Sequence, residues 1–111
     1  AVAGNFLGDI SFAIQKHAED NGFSVVRDLV GHGIGKKLHE EPQVLNFEGG
    51  GKETIKEGMV FCLEPMVTIG NWHIKLGEDG HAYVPVDASL SCHFEHMVAA
   101  TKKGPLVLTK L

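Results

Sequence analysis

Two long apolar runs in this chain each contain a single glutamate. Met59-Val60-Phe61-Cys62-Leu63-Glu64-Pro65-Met66-Val67 carries Glu64, and the run Ser91 to Ala100 carries Glu95. Side chains of a strand alternate between its two faces. Val60, Cys62, Glu64 and Met66 then share one face of the first run, with Met59, Phe61 and Leu63 on the other. Both faces are apolar, so Glu64 is expected in a buried layer. A lone buried carboxylate is costly unless it is neutralised, paired or bound to metal. The chain has one arginine, Arg27, and no lysine in that run. An ion pair and a metal site therefore both stand as readings of Glu64. Glu95 shares its expected face with Ser91, His93, Met97 and Ala99. It reads as a sheet-edge acid, as a partner of His93, or as a second carboxylate converging on one cation.

Seven histidines and fourteen glycines in 111 residues point towards a site. Imidazole is the commonest metal ligand and carries protons near neutral pH. His32 lies in Gly31-His32-Gly33-Ile34-Gly35. Alternate glycines suggest a backbone held close to something, and they leave room for a ligand beside His32. A loop histidine bonded to backbone is the plainer reading. His39 precedes Glu40-Glu41-Pro42, and Pro42 biases Glu41 to an extended conformation, which places His39 on a bend. The spacing of His32 and His39 differs from the helical H-E-x-x-H pattern, so the two are expected to have different roles. His17 is expected to be partly buried on a helix face and His96 to be structural. His81 would line a cleft if its hairpin folds over the site.

Composition narrows the function classes. The net charge is −4, which disfavours binding to a DNA phosphate backbone. No apolar run approaches a membrane span, so no membrane contact is expected. Ala1 to Asn5 has no basic segment and does not read as a signal peptide. Two cysteines are too few for a disulfide framework, and the expected compartment is the reducing cytoplasm.

The element order reads as α+β. A helix is expected from about Asp9 to Asn21, with Ile10, Ala13, Ile14, His17 and Ala18 on one face. Asp9 would be its N-cap, and Gly22 its left-handed C-terminal residue. Strands follow at Phe23–Val26, Met59–Val67 and Ser91–Ala100. A hairpin joins Trp72–Leu76 to His81–Val84 through Gly77-Glu78-Asp79-Gly80, and Leu106–Leu108 closes the sheet. Gly31–Gly35 is not expected to hold regular structure for long, and 48–56 reads as a flexible surface loop.

Four segments in order resemble the C-terminal half of the type I (bacterial-type) methionine aminopeptidases. They are Gly31–Gly35, His39–Val44, Glu57–Met66 and Ser89–His96. The helix and the Asn21–Arg27 stretch resemble that family too, so the likeness covers nearly all of residues 1–111. Proline-directed peptidases share the glycine–histidine and glutamate–proline elements. Glu64-Pro65-Met66 and the Glu40–Val44 run favour the methionine enzymes, and the short stretch between Pro42 and Glu57 is similar to the bacterial type.

The resemblance implies half of a pita-bread fold, an antiparallel sheet with a lead-in helix. It implies that His32, Glu64 and Glu95 are metal ligands, with Glu95 shared between two divalent cations (cobalt, manganese, iron or zinc). It implies that His39 contacts the scissile peptide, that Glu64 takes a proton from the attacking water, and that Phe61 and Cys62 pack around the site. His81 falls where the family often has an aromatic wall of the methionine pocket. The reaction implied is removal of N-terminal methionine from peptides and nascent proteins by a metal-activated water, with the ribosome as a possible neighbour. Two further aspartates and one histidine belong to the N-terminal half in that family. Asp9, Asp20, Asp28, Asp79 and Asp87 do not stand in the matching strand context. These 111 residues are therefore expected to be inactive unless that half is supplied, and to expose an apolar face. A non-catalytic peptide-binding module, and a plain α+β domain with salt-bridged glutamates, are the alternatives.

Overall fold

The computed structural model describes residues 1–110. One helix, α1 (Leu7–Asp20), packs against antiparallel strands: β1 (Ser24–Val25), β2 (Gly31–Gly33), β3 (Glu40–Val44), β4 (Val60–Leu63), β5 (Met66–Thr68), β6 (Ile74–Leu76), β7 (Tyr83–Pro85), β8 (Ser91–His93), β9 (His96–Thr101) and β10 (Gly104–Val107). They form a five-stranded sheet in the order β10-β9-β4-β2-β3, a three-stranded sheet β1-β5-β8 and the hairpin β6-β7. The α+β expectation holds.

α1 starts two residues before the expected position. Asp9 is not the N-cap; its carboxylate accepts the Phe6 backbone N–H at 2.9 Å from the third helical position. The C-terminus ends as the sequence suggested. Gly22 has φ +81°, and the N–H groups of Phe23 and Gly22 donate to the carbonyls of Ala18 and Glu19. Only a left-handed residue allows both bonds, and glycine adopts that conformation without a Cβ clash. Leu7, Ile10 and Ala18 are buried, but Ala13 and His17 are exposed. They border an open groove with Phe6, Phe23, Pro65 and Phe94, so the expected partial burial of His17 does not occur.

The core joins α1 to the five-stranded sheet through Leu7, Ile10, Val44, Ile55, Phe61 and Ala100. Ile55 is buried because the 48–56 segment is tied down. Leu7 N–H donates to Glu53 O, Gly8 N–H to Gly51 O, and Ile55 N–H to Asn5 O. This segment is the expected surface loop, mostly exposed, but it is tied to the start of α1 through these bonds and Ile55.

Each of the two glutamate-bearing runs is two strands, not one. β4 pairs with β9 in the five-stranded sheet, with Leu63 opposite His96. β5 pairs with β8 in the three-stranded sheet, with Met66 opposite His93. Glu64-Pro65 and Phe94-Glu95 are the two crossings between these sheets, side by side, and Phe94 N–H donates to Pro65 O at 3.1 Å. Pro65 has no N–H to give a continuing ladder, so the strand breaks where the sequence places it.

Candidate metal centre

β2 lies inside the large sheet, between β4 and β3, but Gly31-His32-Gly33 is strand for three residues only and its register with β3 shifts between His32 and Gly33, in keeping with the expectation of little regular structure here. The glycines serve the neighbouring strands more than a ligand. A Cβ on Gly31 would lie 2.4 Å from Cys62 O, and one on Gly33 would lie 2.4 Å from Glu41 O. Only glycine lets β4 and β3 close on β2 at those positions. His32 between them projects towards the sheet crossing.

There His32 meets Glu64. His32 Nδ1 donates to Gly33 O at 2.8 Å, which leaves Nε2 facing Glu64 Oε1 at 3.2 Å. A backbone acceptor on one ring nitrogen fixes the imidazole and presents the other as a donor atom. Both side chains are largely buried, 13% and 17% exposed. Of the two readings of Glu64, an ion pair with a lysine or arginine does not occur among the described residues: the Glu64 partners are histidines. His93 Nε2 lies 3.6 Å from the second oxygen, Oε2. Asn46, fully buried two residues beyond β3, donates Nδ2 to Glu64 O and Leu29 O at 3.4 Å each and so fixes the backbone at the crossing.

Glu95 reaches water, as the reading of a sheet-edge acid had it. It is exposed, because the strand breaks just before it. Its carboxylate nevertheless comes within 4.8 Å of donor atoms of both Glu64 and His93. Burial pushes the Glu64 carboxyl above its ordinary value, and the Glu95 charge pushes it further; His32, His93 and His39 pull the other way. The Cys62 thiol is pushed up to about 11, first by burial and then by the Glu95 carboxylate as hydrogen-bond acceptor and charge. Two acids brought together in this way favour a bound proton or a bound cation.

His39 lies on the bend before β3, as expected, with its ring centroid 4.2 Å from that of His32. Both open onto a cavity of about 1110 Å³ that Glu64, Tyr83, Cys92 and His93 also line. Phe61 and Cys62 are not on that lining. Phe61 is fully buried in the core, and Cys62 is buried in β4 behind the site. The alternation of β4 was readable, but which face would meet the core was not. His81 also stays outside: it is exposed in the hairpin connection, where its backbone N–H donates to Asp79 Oδ1 at 2.9 Å. Tyr83, two residues on, and Ile74 are what this hairpin gives the cavity. His96 is held by Thr109 Oγ1 at 2.8 Å, away from the cluster.

Sequence reasoning underweighted His93 and missed Asn46 and Tyr83. The available signal for His93 was its place two residues before Glu95. The alternation rule put those two on one face, and they converge through a strand break that periodicity does not show.

The geometry has close counterparts. The metallopeptidase family M24 matches residues 1–102. The methionine aminopeptidase of Clostridium perfringens is 49% identical over 110 residues, 98% of this chain and 44% of that protein. Methionine aminopeptidase A of Synechocystis is 48% identical over 107 residues, covering 96% of this chain and 42% of its own length. The chain thus spans less than half the length of the curated relatives it matches. A solved structure of the Thermotoga maritima methionine aminopeptidase superposes with a TM-score of 0.94 at 44% identity, covering 100% of this chain and 45% of that one. The X-Pro aminopeptidase of the same organism superposes at 0.68 with 21% identity, a likeness of fold alone. With the matched residues spanning both sheets and every donor at their crossing, the chain belongs to metallopeptidase family M24.

Proposed function

We propose that this chain forms part of a metal-dependent aminopeptidase that removes methionine from the N-termini of peptides and nascent proteins. The observation that carries the reading is the convergence of His32, Glu64 and Glu95 beside one cavity that also holds His39. The donor set fits divalent cations. His32 Nε2 is freed by the Nδ1 bond to Gly33, and the two carboxylates are mutually repulsive without positive charge. His32 and Glu64 would hold one cation, and Glu95 would be shared with a second; cobalt, manganese, iron and zinc all suit such donors. Bound there, the cations supply Lewis acidity towards a peptide carbonyl and lower the pKa of water.

The chain's own groups do the rest. Glu64, with its raised affinity for a proton, accepts the proton of the attacking water. His39 donates a hydrogen bond to the carbonyl oxygen as negative charge develops on it. Tyr83, Ile74 and Met66 give the cavity apolar surface for a methionine side chain. Phe61 supports the site from the core, and Cys62 holds Glu95 from β4. We place His81 outside this pocket.

Two aspartates and a histidine from an N-terminal half of the same domain complete the centre in this reading, so residues 1–111 alone are inactive. The cytoplasm is the proposed compartment, supported by two free thiols, one of them exposed. No helix among the described residues is long and apolar enough to cross a membrane. The net charge of −4 gives no support to a ribosome contact.

The test is hydrolysis of a Met-Ala peptide with divalent metal, by this chain alone and with the complementary half. Expected is release of methionine only with both halves, reduced at least ~100-fold by Glu64→Gln. Undiminished hydrolysis by Glu64→Gln in the complete protein would end the reading.

A further inference from the structure

We infer that His93 is a direct ligand to a divalent cation, together with Glu64 and Glu95. The inference deepens the metal centre proposed above and rests on it. His93 has no part in the three-residue ligand set, and its placement argues for one.

Glu64 is held between two imidazoles that come from different sheets. Oε1 faces His32 Nε2 at 3.2 Å, from β2 of the five-stranded sheet; Oε2 faces His93 Nε2 at 3.6 Å, from β8 of the three-stranded sheet. Donors around a tetrahedral divalent cation stand ~3.4 Å apart, given bonds near 2.0–2.1 Å. Both Glu64 spacings are already close to that value. Glu95 completes a set in which the donor atoms of Glu64, His93 and Glu95 all lie within 4.8 Å of one another. No other hydrogen bond or ion pair of the His93 ring occurs among the described residues, and His93 and Glu64 both line the open cavity, through which an ion can enter.

Glu95 is exposed and His93 is about half exposed, so both side chains can adjust by rotation towards the more buried Glu64. A third donor of this kind has two consequences. One divalent cation can be held by this chain's own residues, with an open position left for water. Imidazole nitrogen also shifts the preference towards zinc and cobalt, away from magnesium and calcium, which favour all-oxygen sites.

The experiment is a cobalt(II) titration of the whole chain, followed by calorimetry and by visible absorption. The chain should bind one equivalent, and His93→Gln should weaken it at least about tenfold and change the absorption intensity. His81→Gln, in the exposed hairpin connection, should leave both unchanged. Because a variant can misfold, ring resonances of His93 in the unaltered chain supply a second readout, and they should shift with the first equivalent of zinc. Unchanged affinity and spectrum in His93→Gln, with binding abolished by Glu64→Gln, would overturn the His93 assignment while leaving the metal centre standing. Absence of cobalt binding by the unaltered chain would overturn the His93 assignment, since the centre proposed above is completed by the other half; binding indifferent to Glu64→Gln would overturn both.

Discussion

His32 and His93 reach the same carboxylate under opposite conditions. His32 comes from an inner strand of the five-stranded sheet, 13% exposed, with its ring fixed by Gly33 O and its backbone enclosed by β3 and β4. His93 comes from an edge strand of the three-stranded sheet, 47% exposed, among exposed Leu90 and Phe94. The large sheet is the scaffold: its position is set by the buried contact of Phe61, Val44 and Ala100 with the helix. The small sheet and its hairpin add groups to the site but contribute little to the core. The candidate site thus joins one rigid donor set to one adaptable set.

That contrast breaks first, and most visibly, on stability. Phe61→Ala empties a fully buried position and should cost about 4 kcal/mol in urea unfolding. A loss below ~1 kcal/mol would mean that the large sheet is not the core. The two thiols sharpen the comparison next. Cys62 lies buried in the large sheet with its pKa pushed up to about 11, from an ordinary 9.0, whereas Cys92 is exposed in the small one. At pH 8 the Cys62 thiolate should be scarcer by about 100-fold, and iodoacetamide should label Cys92 alone. The raised value favours the protonated thiol in the folded chain. Its stabilising effect is fully present below pH 9.0 and is lost as pH rises towards about 11, so base unfolding should begin in that window and move to higher pH in Cys62→Ser. Equal labelling of both cysteines in the folded chain would contradict the division. The smallest effect belongs to the open sheet: Leu90→Ser, at a position 76% exposed, should change stability by no more than ~0.5 kcal/mol.

Much of the site was legible because its parts are chemically improbable where they stand. A glutamate in an apolar strand, twice, and a histidine between glycines are costly choices without a use, and each leads to the cluster. The helix was legible from its period, and its C-terminus from Gly22, where the backbone needs a positive φ. The strand breaks were less so. Both runs read as single strands; Pro65 offers a signal for the first break, and nothing in Phe94-Glu95 signals the second, which exists because β8 must follow β5 into the other sheet. The faces of β4 were assigned correctly as pairs, yet the cavity took neither Phe61 nor Cys62.

Local chemistry in the amino-acid order thus determined the class of fold, the candidate ligand types and where the helix stops, since each depends on a residue and its near neighbours. The meeting of His93 with Glu64 and Glu95, the replacement of His81 by Tyr83 at the cavity, and the clamping of the Glu64 backbone by Asn46 were decided by tertiary structure. Those contacts join segments up to tens of residues apart through two sheet crossings, and side-chain periodicity carries no information about where a strand leaves one sheet for another.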